Sequence, residues 1–176
     1  MAKKQSPGKK MAEKNLKARN HHWPNISDDM LWHRRRNVGY TMIPRAMPYF
    51  FRIMDDLYSG QPPSRTYFTL WCRLFDESFL EIKNPKELAF ESGFSTQRAE
   101  YTWRTRMRIL KELKFIKTKE GPSGEFNYVL VLNPYFVVRK LRQEGKIGPN
   151  NISYNALYSR AADIGADDLD VDLPKN

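Results

Sequence analysis

The stretch NPKELAFESGFSTQRAEYTWRTRMRILKELKFIKTKEGPSGEFNYVLVLN, residues 84–133, decides the fold of this chain. Its first part predicts a short helix over residues 85–91, because an asparagine cap and a proline precede it and a Ser-Gly pair ends it. After a turn that contains Gly93, apolar residues at helical spacing predict a longer helix over residues 97–114. Two helices joined by such a turn form a helix-turn-helix layout.

A β-hairpin is predicted directly behind the longer helix. Residues 115–119 are typical of a strand, the Gly-Pro-Ser-Gly sequence of a turn, and residues 126–132 of the returning strand. Upstream of the helix-turn-helix, residues 79–82 predict one further short strand. The chain is therefore expected to be mainly α with a small hairpin.

This order of elements resembles the winged-helix family of DNA-binding domains, in which a hairpin called the wing follows a helix-turn-helix. The segment LKELKFIKTKEGPSGEFNYVLVL, residues 110–132, carries most of the resemblance. The resemblance implies a winged helix-turn-helix with added N- and C-terminal helices, whose long helix enters the major groove of DNA. Plasmid-borne replication and regulatory proteins have a loosely similar layout.

The longer helix has two faces at ~100° per residue. One apolar sector is expected to pack in the core, and it contains Ala99, Trp103, Met107, Leu110 and Leu113. A second, polar sector lies well away from the first and is expected to face solvent. It contains Gln97, Tyr101, Arg104, Arg108 and Lys111.

Residues near the start of this helix are the candidates for reading base edges, as in other helix-turn-helix proteins. They are Thr96, Gln97, Tyr101 and Arg104. Arg and Gln suit this role because each can form bidentate hydrogen bonds with a base. Phosphate contacts are expected from cations further along the helix and on the wing, namely Arg98, Arg108, Lys111, Lys117 and Lys119. Arg106 is likewise expected to reach phosphate or solvent. The two wing lysines could instead protect an edge strand from aggregation.

Charge is concentrated at the N-terminus. The chain of 176 residues has a formal net charge of +10, and residues 1–36 hold ten Lys and Arg against three Asp and Glu. Residues 1–37 are predicted to be a basic, largely disordered arm with one possible short helix capped by Ser27. Phosphate contacts are also expected from Arg34, Arg35 and Arg36, although this run could be an ordinary solvated junction.

The folded domain is expected over residues 38–165, and residues 166–176 are expected to be an acidic, frayed tail. A last helix from about Ser153 carries a small apolar stripe of Leu157, Ala161 and Ile164. This stripe either packs on its own domain or pairs with a second copy. The resulting homodimer would place two recognition helices about one DNA turn apart.

Several functions are not expected. The single cysteine, Cys72, leaves no basis for a disulfide or a thiolate zinc site, and the histidines lack metal-site spacing. The usual catalytic motifs are missing, so no enzyme activity, metal or cofactor is predicted. No stretch predicts a membrane span or a secretion signal, which favours a cytoplasmic, nucleoid-associated protein. A tryptophan platform for single strands, built on Trp32, Trp71 and Trp103, is less favoured than core packing of these residues.

The sequence therefore predicts a sequence-specific double-stranded DNA-binding protein without catalysis. It would be a transcriptional regulator or a plasmid-type replication accessory or initiator factor, with helix 97–114 in the major groove and wing 115–132 and the basic arm on phosphates. The alternative is a winged-helix protein or RNA interaction module within a larger nucleoprotein complex, since a fold alone does not settle function.

Overall fold

A computed structural model describes residues 7–171 of the chain. These residues form two compact units, which meet in the sequence between Tyr40 and Thr41. Within the described residues the second unit contains six α-helices and one three-stranded antiparallel sheet. The predicted fold class, mainly helical with a small β component, is confirmed at this level.

The first unit contains helix α1 (Pro7–His22) and a single 3-10 turn (Asp28–Met30). The helix corrects the prediction of a disordered arm over residues 7–22, while residues 1–6 lie outside the described part. Lys, Ala, Glu, Leu and Arg, which have high helix propensity, make up most of α1, so it forms although nearly all its described side chains are exposed. Ser27 caps the 3-10 turn as predicted, because its Oγ accepts the Asp29 N–H at 3.4 Å.

Helix α2 (Met47–Leu57) is central to the second unit. It packs against α3 (Ser64–Arg73), α6 (Pro134–Gln143) and α7 (Ile152–Ile164). Large apolar side chains from α2, α3 and α5 (Ala99–Glu112) are almost fully buried and form the core. Among them are Phe50, Met54, Tyr67, Leu70 and Trp103.

Helix α3 is capped by a residue of α2. Pro63 holds the N-cap position and Ser64 is the first helical residue. The Asp55 carboxylate accepts the Ser64 N–H at 3.0 Å and the Ser64 hydroxyl at 2.6 Å. A carboxylate at a helix N-terminus satisfies unpaired N–H groups and is stabilised by the helix dipole. Asp55 therefore fixes α3 to α2.

The elements predicted within residues 84–133 are present in the predicted order. They are α4 (Pro85–Glu91), α5, β2 (Ile116–Gly121) and β3 (Gly124–Val131). Asn84 caps α4 through its side chain, which accepts the Glu87 N–H at 3.3 Å. Helix α5 begins two residues later than predicted, and Thr96 and Gln97 lie in the preceding turn.

The turn between α4 and α5 requires its glycine. Gly93 has a φ of +83°, in the left-handed region that side chains with a Cβ rarely adopt. The guanidinium of Arg65, an exposed residue of α3, lies over the turn, and a Cβ at Gly93 would displace this flexible side chain. Helix α3 thus packs against the connection that sets the direction of α5.

The sheet has the strand order β1-β3-β2, with β1 spanning Phe79–Glu81. All pairs are antiparallel, and Leu130 lies opposite Phe79 on one side and Lys117 on the other. Tyr128 lies opposite Glu81 and Lys119 in the same way. Because side chains alternate across a strand, these six residues share one face of the sheet. The other face carries the buried Val129 and Val131.

Helix α7 packs on its own chain through the predicted stripe. Leu157 and Ala161 are buried, Ile164 is partly buried, and the Ser153 hydroxyl donates to Asp56 of α2 at 2.6 Å. The apolar stripe is therefore covered within the chain, and it offers no exposed face for the homodimer considered above.

The first part of the tail is packed rather than frayed. Leu169 is buried, and the Asp168 carboxylate accepts a hydrogen bond from the Asn133 side chain at 2.9 Å. Packing of this one leucine corrects the prediction for residues 166–171. Residues 172–176 lie outside the described part of the chain.

Replacing the α3 cap should weaken the second unit. We expect Asp55→Ala to lower the free energy of unfolding by about 1–2 kcal/mol, since it removes two hydrogen bonds from the start of α3. Urea denaturation followed by circular dichroism measures the change. Asp163→Ala, an exposed position on α7, is the matched control and should leave stability nearly unchanged. Equal midpoints for both variants would contradict the assignment of Asp55 as the cap.

Candidate nucleic-acid interface

Helix α5 is oriented by its buried side. Trp103, Met107, Leu110 and Leu113 are buried and Ala99 is partly buried, as the helical wheel predicts. Trp103 packs edge-on against Phe126 of β3, with ring centroids 5.8 Å apart. Near its C-terminal end, Glu112 accepts a hydrogen bond from Tyr58, and this bond together with burial raises the pKa of Tyr58 to about 12.

The polar sector of α5, which we call the α5 face, consists of Gln97, Tyr101, Arg104, Arg108 and Lys111. Gln97 is exposed in the turn before α5, beside the exposed Thr96, and Tyr101 exposes 69% of its surface. Three of the four predicted base-reading residues are thus accessible at the N-terminal end of α5.

Arg104 differs from the other three. Its guanidinium donates to Glu100 Oε1 from Nη2 at 2.7 Å and from Nε at 3.0 Å. The same group lies next to Gly124 at the start of β3. Arg104 is therefore held between one turn of α5 and the hairpin, and Glu100 competes with a base for two of its five N–H donors.

Two of the predicted phosphate ligands share one carboxylate. Arg108 Nη2 and Lys111 Nζ each lie 3.4 Å from a carboxylate oxygen of Glu125 on β3. Exposed pairs of this kind contribute only about 0–1 kcal/mol, so phosphates can replace the carboxylate at little cost. Arg98 is exposed at the N-cap of α5, where no ion pair is found among the described residues.

The predicted wing lysines lie elsewhere. Lys117 and Lys119 are exposed on the outer face of the sheet and line a groove of about 1160 Å³ between that face and α6. We call this the lysine groove. It brings together five lysines, namely Lys111, Lys114, Lys117, Lys119 and Lys140. Lys111 borders both the groove and the α5 face.

Sequence reasoning missed two kinds of groove residue. Lys114 and Lys140 were not predicted as ligands, and neither was the aromatic pair Phe79 and Tyr128, whose rings are nearly parallel at 18° with centroids 6.3 Å apart. Side chains alternate between the two faces of a strand, so the sequence could have placed Phe79 and Tyr128 on the outer face of the sheet. The position of α6, which borders the same groove as the sheet, gave no signal in the sequence.

Lys114 has an unusual backbone. Its φ is +67°, a left-handed conformation in a residue that carries a Cβ. The Phe115 N–H donates to the Leu110 carbonyl and the Lys114 N–H to the Lys111 carbonyl, which is the hydrogen-bond pattern of a Schellman helix end. Glycine usually occupies this position, so the chain keeps a lysine here at a cost in stability.

Arg106, which was expected to reach phosphate or solvent, belongs to neither surface. It turns inward, where its Nε is buried and its guanidinium lies 6.0 Å from the centroid of Phe94. Burial lowers its pKa, and the nearby Asp55 carboxylate opposes that shift. Arg106 therefore lies on a different side of α5 from Arg104 and Arg108.

The first unit presents its own basic surface. Arg34, Arg35 and Arg36 are exposed in a turn, and Arg36 pairs with Asp29 at 3.7 Å. Arg19 of α1 pairs with Asp28 at 3.0 Å and so ties the helix to the 3-10 turn. Most cations of α1 remain exposed, as phosphate binding requires.

Two kinds of feature are absent from residues 7–171. No group of three or more His, Cys, Asp or Glu side chains is arranged there to hold a metal ion. Within the same residues, every helix is too short or too polar to cross a membrane.

The left-handed lysine predicts a measurable gain in stability. Lys114→Gly should raise the free energy of unfolding by about 1 kcal/mol, because glycine adopts this φ without strain. Chemical denaturation measures it. Gly145→Ala is the matched control, since Gly145 has a φ of +75° and open space around it, and it should lower stability by a similar amount. A destabilised Lys114→Gly variant would refute the assignment of strain.

Comparisons of the chain with protein-family models, with curated proteins and with solved structures give no significant match. What this chain does must therefore be inferred from its own residues.

Proposed function

We propose that this protein is a sequence-specific double-stranded DNA-binding protein of the winged-helix type. Helix α5 would enter the major groove, and the β2–β3 hairpin would lie along the phosphate backbone beside it. The observation that carries the proposal is the accessible N-terminal end of α5, where Thr96, Gln97 and Tyr101 project from a helix-turn-helix arrangement. Exposed polar side chains at this point of such a helix are placed to reach base edges.

The electrostatics of the α5 face support the same function. Arg104, Arg108 and Lys111 are held by Glu100 and Glu125 through pairs that are partly or largely exposed. DNA phosphates can compete for these cations because such pairs are weak and screened by salt. The net charge of +10 favours association with a polyanion.

The basic surface of the first unit has a supporting role in this proposal. Cations of α1 together with Arg34, Arg35 and Arg36 would contact phosphates without regard to sequence. Each such contact steepens the dependence of affinity on salt by about 0.9 in log–log units. The first unit would thereby raise affinity for all DNA, while the end of α5 selects the sequence.

We infer a regulatory or replication role without catalysis. A winged helix with a basic arm suits a transcriptional regulator or an accessory or initiator factor at a plasmid-type origin. The alternative is an interaction module for protein or RNA inside a nucleoprotein complex. Phe90 favours that alternative, because it exposes 72% of its surface on α4 and a protein partner would bury it.

Selection from a random duplex pool tests the proposal, and Gln97→Ala tests the role of α5 in it. The full chain should enrich one motif at moderate salt. Gln97→Ala should then lower affinity for that motif by about 1–3 kcal/mol and relax the preference at one base pair. Arg52→Ala, which removes an exposed cation from α2, is the control and should leave the motif unchanged. No enrichment, or equal losses in both variants, would overturn sequence reading by α5.

Removal of the charge on Glu100, the ion-pair partner of Arg104, should increase the affinity for duplex DNA. Glu100→Gln should strengthen binding to the selected duplex by about two- to fivefold, since it frees Arg104 from a pair worth 0.2–1 kcal/mol and removes a repulsive charge. Titration by fluorescence anisotropy measures the affinity. Glu77→Gln removes the same charge from an exposed turn outside α5. An effect no larger than that of Glu77→Gln would show that Arg104 does not contact DNA.

A further inference from the structure

We propose that the lysine groove binds single-stranded nucleic acid, at a site that shares only Lys111 with the duplex site proposed on the α5 face. The groove has a volume of about 1160 Å³ and lies between the outer face of the sheet and α6. Its floor is apolar and aromatic, and its rim is cationic. A strand of unpaired bases joined by phosphates matches both the aromatic floor and the cationic rim.

The floor offers aromatic rings to bases. Phe79 of β1 exposes 49% of its surface, and its ring is nearly parallel to that of Tyr128 on the neighbouring strand. Leu130, which is 40% exposed, extends the same surface along β3. Unpaired bases stack on aromatic side chains with little dependence on sequence, and a sheet face with aromatic residues on adjacent strands is a known platform for this.

The rim has an excess of positive charge. Five lysines line the groove against the single carboxylate of Glu144, and that carboxylate already lies 3.6 Å from Lys146. Four of the five, Lys114, Lys117, Lys119 and Lys140, form no ion pair with any residue that the structure describes. Unpaired cations beside an apolar floor favour a ligand that is anionic and also has flat apolar surfaces.

A duplex fits this groove poorly. Paired bases are stacked inside the double helix and cannot lay their faces on Phe79 or Tyr128, whereas a single strand can splay its bases out. An acidic peptide would match the lysines, but the parallel ring pair gives it no specific partner. The observations therefore favour single-stranded DNA or RNA over both.

The strained backbone at Lys114 is an independent observation that points to the same groove. A glycine would hold this helix end with less strain, and yet the position carries a lysine that lines the groove. Strain kept at one residue is a sign that its side chain has a function. Here the side chain adds a cation to the rim.

The proposal is tested with the full chain and a fluorescein-labelled oligothymidine of about fifteen nucleotides, within the usual site size of single-strand binders. Phe79→Leu retains an apolar side chain on β1 but removes the ring, and it should weaken binding of the oligothymidine at least about fivefold. Phe90→Leu removes an even more exposed ring from α4, outside the groove, and should bind as the unchanged protein does. Thermal melting checks that both variants are folded.

Charge is tested separately. The double variant Lys117→Gln with Lys119→Gln should reduce the log–log salt slope of oligothymidine binding by about 1.4, the amount expected for two phosphate contacts of a single strand. Arg52→Gln is the control for loss of a remote cation and should leave the slope unchanged. An unchanged slope in the double variant would overturn the proposal.

Three further outcomes are decisive. If Phe79→Leu and Phe90→Leu have the same affinity for oligothymidine, no base stacks in the groove and the proposal is wrong. If oligoglutamate displaces the oligothymidine at equal concentration, the groove is a site for acidic peptides instead. If Gln97→Ala loses the duplex but keeps oligothymidine, the two sites are separate, and failure of duplex binding alone would leave the groove proposal intact.

Discussion

The burial of Trp103 is the constraint on which the candidate interface depends. Its side chain is inaccessible to solvent and packs against Phe126, so α5 cannot rotate about its axis without opening the core. At a fixed ~100° per residue, this one orientation determines where every other side chain of α5 points. The α5 face is turned to solvent, Arg106 is turned inward, and the chain leaves the helix at Lys114 toward the sheet.

The cations of the α5 face and those of the lysine groove differ in whether they have carboxylate partners. On the α5 face, Glu100 and Glu125 hold three cations close to the helix and the hairpin. In the lysine groove, most lysines have no carboxylate partner among the described residues. On the proposed function, the cations of the α5 face would exchange partners on binding DNA, which favours selectivity over raw affinity. The groove lysines that lack a carboxylate partner can bind an anion without breaking an ion pair.

Much of the fold follows from local sequence signals. Helix α4 begins at the position that Asn84 and Pro85 predict, and Gly93 forms the turn after it. The spacing of apolar residues from Trp103 to Leu113 predicts the buried side of α5. The helical arm was missed because α1 has helix propensity without an apolar face, and periodicity is the stronger signal. The ion pair of Arg108 was missed because Glu125 reaches α5 only through the tertiary fold. The pair of Arg104 with Glu100 was missed although its i,i+4 spacing on α5 is visible in the sequence. The lysine groove needs strand register and the placement of α6 together, which no short stretch encodes.

The central claim is that duplex DNA contacts the N-terminal end of α5, and amide chemical-shift mapping by NMR tests it most directly. Addition of a selected duplex should shift the amides of Thr96, Gln97 and Tyr101 and of the β2–β3 turn, while those of Phe79 and Lys140 stay in place. Shifts confined to α1, or centred on the lysine groove with α5 unmoved, would contradict the account.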